Sequence, residues 1–185
     1  MMASGAVKAR LIPFLAASLL GGCTATYSRS EVAVPSTVLR SGGKVAIATP
    51  EDGTYGEKVY RDSGESTAGA VRGAFARYTS QAVIVGNCAD ATCLRQAPEG
   101  KSADYLVVPE ILHWEDRNTE WSGIKDKIEI KLTVFDRGSD APVASVVING
   151  KSKWATFGGD HPQDLLAEPV GAYVASLFGA PPKDR

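Results

Sequence analysis

Two cysteines stand close together in Cys88-Ala-Asp-Ala-Thr-Cys93. Thiols at this spacing can close a small disulfide ring, stay free, or serve redox or metal chemistry. A bridge needs Cα atoms about 4.4–6.8 Å apart, so the residues between must turn. Redox pairs more typically read C-x-x-C, and zinc needs further Cys or His ligands. A structural disulfide is the expectation, contributing on the order of 2 kcal/mol for so short a loop. The second chemical stretch is Ile111-Leu-His-Trp-Glu-Asp-Arg117 with Glu120-Trp-Ser-Gly123. On an extended strand His113 and Glu115 share a face, roughly 6–7 Å apart. Acid–base work or metal binding is conceivable there, with Glu110, Asp116 and Glu120 near in sequence. In a regular strand, however, Glu110 and His113 point to opposite faces. A plain strand end is the competing reading. Trp114 and Trp121 bracket a polar run that contains Arg117. Such rings either pack inside or anchor a binding surface, since buried Trp and Arg often dominate interfaces. Trp114, Arg117 and Trp121 are therefore the candidate interaction residues. His161, at the start of a helical pattern, reads as structural. No G-x-S-x-G turn is present, and Ser41-Gly-Gly-Lys44 lacks phosphate-loop spacing. No catalytic residue, metal-ligand set or cofactor is assigned.

The third cysteine, Cys23, has a different setting. Residues 1–10 are short and carry Lys8 and Arg10 without an acid. Residues 11–20 are apolar, and Leu20-Gly21-Gly22-Cys23 follows. This is the three-part plan of an export signal. The apolar run is about half of what a bilayer core demands of a helix, and Pro13 interrupts it. A permanent transmembrane anchor is thus not expected. Leu20-Gly21-Gly22-Cys23 resembles the lipobox of bacterial lipoproteins, which implies cleavage before Cys23 and a diacylglycerol thioether on its sulfur. Proteins of this kind carry two or three acyl chains, and each buried methylene adds roughly 0.8 kcal/mol of membrane affinity. Thr24 follows the cysteine. The enterobacterial sorting pattern keeps proteins with Asp there in the inner membrane, so the resemblance implies the outer membrane, with the domain in the periplasm. That oxidising compartment suits a Cys88–Cys93 bridge.

The rest of the 185-residue chain must position these groups. Its net charge is −1, with no clustered basic face or polybasic run, so a nucleic-acid partner is not expected. Residues 23–43 read as a lipidated N-terminus and flexible tether spanning roughly 25 Å. A single domain over 44–179 follows, with a tail at 180–185. Lys44–Pro50 is a first strand between turn signals. Asp62 with Glu65 predicts a capping box, and Ala68, Val71, Phe75 and Tyr78 supply one helical face. Gly69 and Gly73, one turn apart, imply close packing of that helix on the sheet. Gln81–Gly86 is a second strand, followed by the cysteine loop and one helical turn near Leu94–Ala97. Three long strands come next, at about Asp104–Asp116, Lys127–Asp136 and Val143–Trp154. In the middle one Ile128, Ile130, Leu132 and Val134 alternate with polar residues, so one face is buried. A last helix starts at Asp160, with Pro162 in its first turn and Gln163 as capping partner. Leu165, Leu166, Val170, Tyr173, Val174, Leu177 and Phe178 form its buried side. Pro169 should kink it, and Gly179 with Pro181-Pro182 ends it. The order β-α-β-β-β-β-α predicts an α+β fold: a mixed sheet of about five strands, a long C-terminal meander, and helices on one face.

From Lys44 to Phe178 the chain resembles an uncharacterised lipoprotein family of Gram-negative bacteria, a domain of unknown function. Asp52-Gly-Thr-Tyr-Gly56, Ser63-Gly64 and the stretch Ile111–Gly123 carry the resemblance. At fold level it is also similar to the TolB N-terminal domain and the curli secretion lipoprotein, which open with a Val-Ala-Ile strand, a helix, a strand and a meander. The resemblance implies a membrane-anchored, non-catalytic interaction module in envelope assembly or maintenance, with an envelope protein as partner. The alternative is a metal-binding protein or enzyme built on His113 and Glu115.

Overall fold

The computed structural model describes residues 25–117, 125–152 and 161–180. The signal segment, Cys23, Trp121, Trp154, Asp160 and residues 181–185 lie outside them. The elements are β1 (Thr26–Ala33), β2 (Lys44–Ala48), a small hairpin of β3 (Thr54–Tyr55) and β4 (Lys58–Val59), α1 (Ser63–Phe75), β5 (Gln81–Val85), α2 (Ala91–Gln96), α3 (Pro98–Ser102), β6 (Tyr105–Glu115), β7 (Lys127–Asp136), β8 (Pro142–Lys151) and α4 (Ala167–Leu177). Six strands form one mixed sheet in the order β1-β8-β7-β6-β2-β5. β2 runs parallel to β5 and β6, and the meander from β6 to β8 is antiparallel. The α+β reading holds.

The sheet separates two apolar clusters. On the front, α1 and α4 bury Val71, Phe75, Val170, Tyr173, Val174 and Leu177 against Val45, Ile47, Val107, Ile130, Leu132, Val134, Val146 and Ile148. On the back, a smaller cluster sets Leu94 and Cys88 against Ala46, Ala48, Leu106 and Val108. Adjacent residues of β2 and β6 therefore serve opposite faces, as strand geometry requires. The two long helices share one face, as expected, and the short α2–α3 pair adds cover to the other.

The flexible tether does not exist as expected. Thr26–Ala33 is an edge strand, paired antiparallel with β8 from Thr26↔Lys151 to Ala33↔Ser145, with a bulge at Val32. Its side chains are almost all exposed, so no apolar alternation marks it. What holds it is the otherwise open edge of β8, whose backbone groups need partners. Beyond it, Leu39 is buried in the front core and its N–H donates to the Leu177 carbonyl at 2.8 Å.

Local signals misplaced the caps. Asp62 sits in the left-handed region (φ 67°) and its side chain caps nothing. Asp52 does so from ten residues away, its carboxylate accepting from Gly64 N–H at 2.9 Å and Asp62 N–H at 3.3 Å. Pro169 lies in the first turn of α4, where its missing N–H costs no helical bond, so the helix begins near it rather than kinking. Gly69 and Gly73 face open space: a Cβ on either would meet nothing within 4 Å. Close packing instead falls to Gly64, where a Cβ would stand 2.2 Å from the Pro50 carbonyl oxygen.

Candidate functional site

The candidate residues gather at one end of β6. Two rules of strand geometry decide what they do there. The first is alternation: Trp114 pairs with Ile128 and faces the front core, 3% exposed. A Cβ on Gly53 would stand 2.6 Å from the Trp114 Cβ, so the hairpin closes directly over this residue. Trp114 is a core residue and is corrected from its place among the interaction residues, because its strand parity turns the ring inward. Trp121 lies outside the described residues.

The second rule is register. β6 carries a bulge at Leu112: Ile111 pairs with Ile130, and His113 with Glu129. The extra residue puts Glu110, opposite Lys131, on the same face as His113, against the regular-strand expectation. The two do not combine, since Glu110 Oε1 takes Lys131 Nζ at 3.1 Å. Beyond the bulge, Glu115 turns to the back and pairs with Lys127. Its side chain is 2% exposed, yet it stands among three donor groups, two of them the cations Arg117 and Lys127. Arg117 donates from both Nε and Nη2 to Oε1. His113 Nε2 lies 3.1 Å and Lys127 Nζ 3.4 Å from Oε2. Burial alone raises the Glu115 carboxyl, but hydrogen bonds from His113 and Arg117 and the Lys127 and Arg117 charges together hold it below its ordinary value. Glu115 in turn raises the Arg117 guanidinium. With Glu115 ionised, the hydrogen bond requires His113 Nε2 to carry its proton.

A second layer steadies the first. Tyr55 OH accepts from Arg117 Nη2 at 3.1 Å, its ring lies 5.1 Å from the guanidinium carbon, and it meets the His113 ring edge-on at 5.3 Å. Arg117 N–H donates to Asp126 Oδ1 at 2.7 Å, and Asp126 N–H to Ser152 Oγ at 2.9 Å. Tyr60 OH accepts from Asp116 N–H at 3.3 Å. Sequence reasoning missed Lys127, Tyr55 and Asp126. Lys127 was recoverable from the register of two neighbouring strands. Tyr55 was not, because the hairpin that brings it has no periodic signal.

This chemistry is that of a lock. Both Glu115 oxygens are taken by donors, which leaves no lone pair directed at a substrate or a cation. A metal ion would also have to approach past the positive charges of Arg117 and Lys127. Among the described residues no three His, Cys, Asp or Glu side chains stand together as a ligand set. Cys88 and Cys93 form a disulfide with Cα atoms 5.5 Å apart, Cys88 lying in the back cluster. Asp90 caps α2 by accepting from Cys93 N–H at 2.8 Å, which supplies the turn the bridge needs. His161 sits before a 3-10 turn at Pro162–Leu165, and its N–H donates to Asp164 Oδ2 at 3.0 Å, a structural role.

The other shared segments also prove architectural. Asp52 caps α1, Gly53 N–H donates to Ser63 Oγ at 2.8 Å, and Ser63 Oγ donates to the Tyr60 carbonyl at 2.7 Å. The family model DUF4823, a domain of unknown function, matches residues 37–177, which span all of these. The chain belongs to the DUF4823 family. No curated protein matches its sequence. Among solved structures, this DUF4823 chain is similar to the PelC dodecamer subunit of Paraburkholderia phytofirmans. The two are 17% identical with a TM-score of 0.60, over 85% of this chain and 99% of that one. It is also similar to a Xanthomonas campestris protein of the DUF330 family, at 13% identity and TM-score 0.50, over 82% and 93% of the two chains. At these identities the likeness establishes a shared fold for the DUF4823 domain.

Proposed function

We propose that this DUF4823 protein is a lipid-anchored, non-catalytic interaction module of the bacterial envelope, held at the outer membrane with its domain in the periplasm. The observation that carries the reading is Leu20-Gly21-Gly22-Cys23 closing a basic segment and the apolar run of residues 11–20. The Cys88–Cys93 bridge supports it, since such bonds persist outside the reducing cytoplasm. The saturated Glu115 counts against an enzyme or metal protein built on His113.

Its partner on this reading is an envelope protein. A solved chain of similar fold is described as a dodecamer, so a second copy is included among the partners. Arg117 and Trp121 are the contact residues proposed. In-cell crosslinking, with native-gel mass measured in parallel, tests this. Trp121→Ala should remove crosslinked species, including any self-assembly, while the domain stays folded, and Arg117→Ala should do so beyond the effect of Glu115→Gln, which loosens the same ion pair. An unchanged crosslink pattern would contradict the assignment.

A further inference from the structure

Strand register fixes which end of the domain a lipid can reach. Thr26 pairs with Lys151, Lys151 with Lys127, and Lys127 with Glu115. The start of β1 is thus in one row with the Glu115 lock. Ala25, just before β1, already packs on the front core. Cys23 is two residues earlier, so covalent reach keeps its sulfur's backbone within about 7 Å of Ala25. A lipid on Cys23 would therefore draw this end onto the bilayer, where a 20-residue coil would have held the domain clear of it.

The side chains at this end suit such a contact. The hairpin leaves Tyr55 42% and Val59 57% exposed, one on each of its faces, since Tyr55 pairs with Lys58 and Val59 with Thr54. Lys58 lies over the Tyr60 ring at 4.3 Å from its centroid, and Lys127 and Arg117 stand on the inner side of the same hairpin end. Tyrosine with flanking Lys or Arg matches the headgroup region of a membrane, apolar below and wet above. Glu57 lies in the hairpin turn and Asp116 just before Arg117 in the chain, so attraction to anionic lipid is modest and apolar contact must contribute. A weak surface is sufficient here, because a covalent tether converts docking into an intramolecular event at high effective concentration. Leu112 (48% exposed) sits at the β6 bulge, and Val32, Val34 and Val38 (60%, 76% and 67% exposed) lie at or just past the far end of β1. That end is roughly 25 Å away along eight strand residues.

Resting on the lipid-anchor reading above, we infer that the hairpin end of the domain, with Tyr55 and Val59 on either side of its Gly56-Glu57 turn, docks turn-first on the phospholipid surface to which Cys23 is anchored. The test is neutron reflectometry on the acylated full-length protein in a supported phosphatidylethanolamine–phosphatidylglycerol bilayer. The protein layer should begin at the headgroups with no water layer between. Inserting ten Gly/Ser residues between Thr24 and Ala25 should leave that contact in place. Adding Tyr55→Ser and Val59→Glu to the insertion should open a hydrated gap of about 20 Å, whereas Val34→Glu and Val38→Glu should not. A gap in the parent protein, a gap from the insertion alone, or a gap caused only by the far-end pair would overturn the inference. Intact mass on the same samples separates the two claims: acylated protein with a gap defeats the docking surface alone, and unacylated protein defeats the anchor.

Discussion

Trp114 and Glu115 are neighbours in the chain and almost equally buried, 3% and 1% exposed, but they lie on opposite faces of β6 and are buried by different physics. Trp114 enters an apolar layer sealed by two long helices, where removing its ring from water is the whole stabilisation. Glu115 is buried only because Arg117, His113 and Lys127 meet both of its oxygens, and its partners' side chains are themselves about a third or more exposed. The comparison teaches that two adjacent buried residues need not belong to one core. Trp114 itself carries neither a titratable group nor a covalent bridge. The back face depends on charge and on a covalent bridge.

Substitutions can break this contrast, and the largest effect belongs to the front. Trp114→Ala leaves a cavity beneath the hairpin and should cost about 3–5 kcal/mol in denaturant unfolding. On the back, Cys88→Ala with Cys93→Ala should cost on the order of 2 kcal/mol. A reducing agent should lower the midpoint of the parent protein similarly and leave that double variant unmoved. Glu115→Gln should cost somewhat less, because its partners can turn to water.

The pH dependence sharpens the contrast. The folded Glu115 carboxyl lies below its ordinary value of 4.5, so the unfolded chain binds more protons in the window beneath that value. The Glu115 contribution is complete above pH 4.5 and is lost as pH falls through the lower folded value. Asp104, lowered chiefly by the hydrogen bond from Lys44 N–H, acts in the same direction. Thermal melts in acid should therefore fall less steeply for Glu115→Gln than for the parent, while Trp114→Ala should shift the curve without changing its shape. The smallest expected effect is a gain. Gly73 lies within α1 with open space at its Cβ position, so Gly73→Ala should stabilise by about 0.5–1 kcal/mol.

The same contrast marks what was legible in the sequence. The β6–β8 meander and both long helices followed from apolar periodicity, whereas Trp114 was misplaced as an interaction residue because its inward strand parity was not read. The cysteine bridge followed from count and compartment. β1 escaped because an edge strand held by its backbone shows no apolar period. The α1 cap escaped because Asp52 reaches it from another segment, while Asp62 offered a better local match. The Glu115 lock was half visible: His113 and Glu115 shared a face as read, but Lys127 and Tyr55 arrive through register and a hairpin, which are non-local. Sequence reading succeeded where structure is local or periodic, and failed where partners come from elsewhere in the chain.

The central claim is that Cys23 is a lipid anchor from which the domain hangs without a long tether. Intact mass of the membrane-extracted protein from its native host, beside a Cys23→Ala variant, tests it most directly. The account predicts a mature chain beginning at Cys23 with added acyl mass, and no such species from the variant. A mature chain without acyl mass, or one beginning elsewhere, would contradict it.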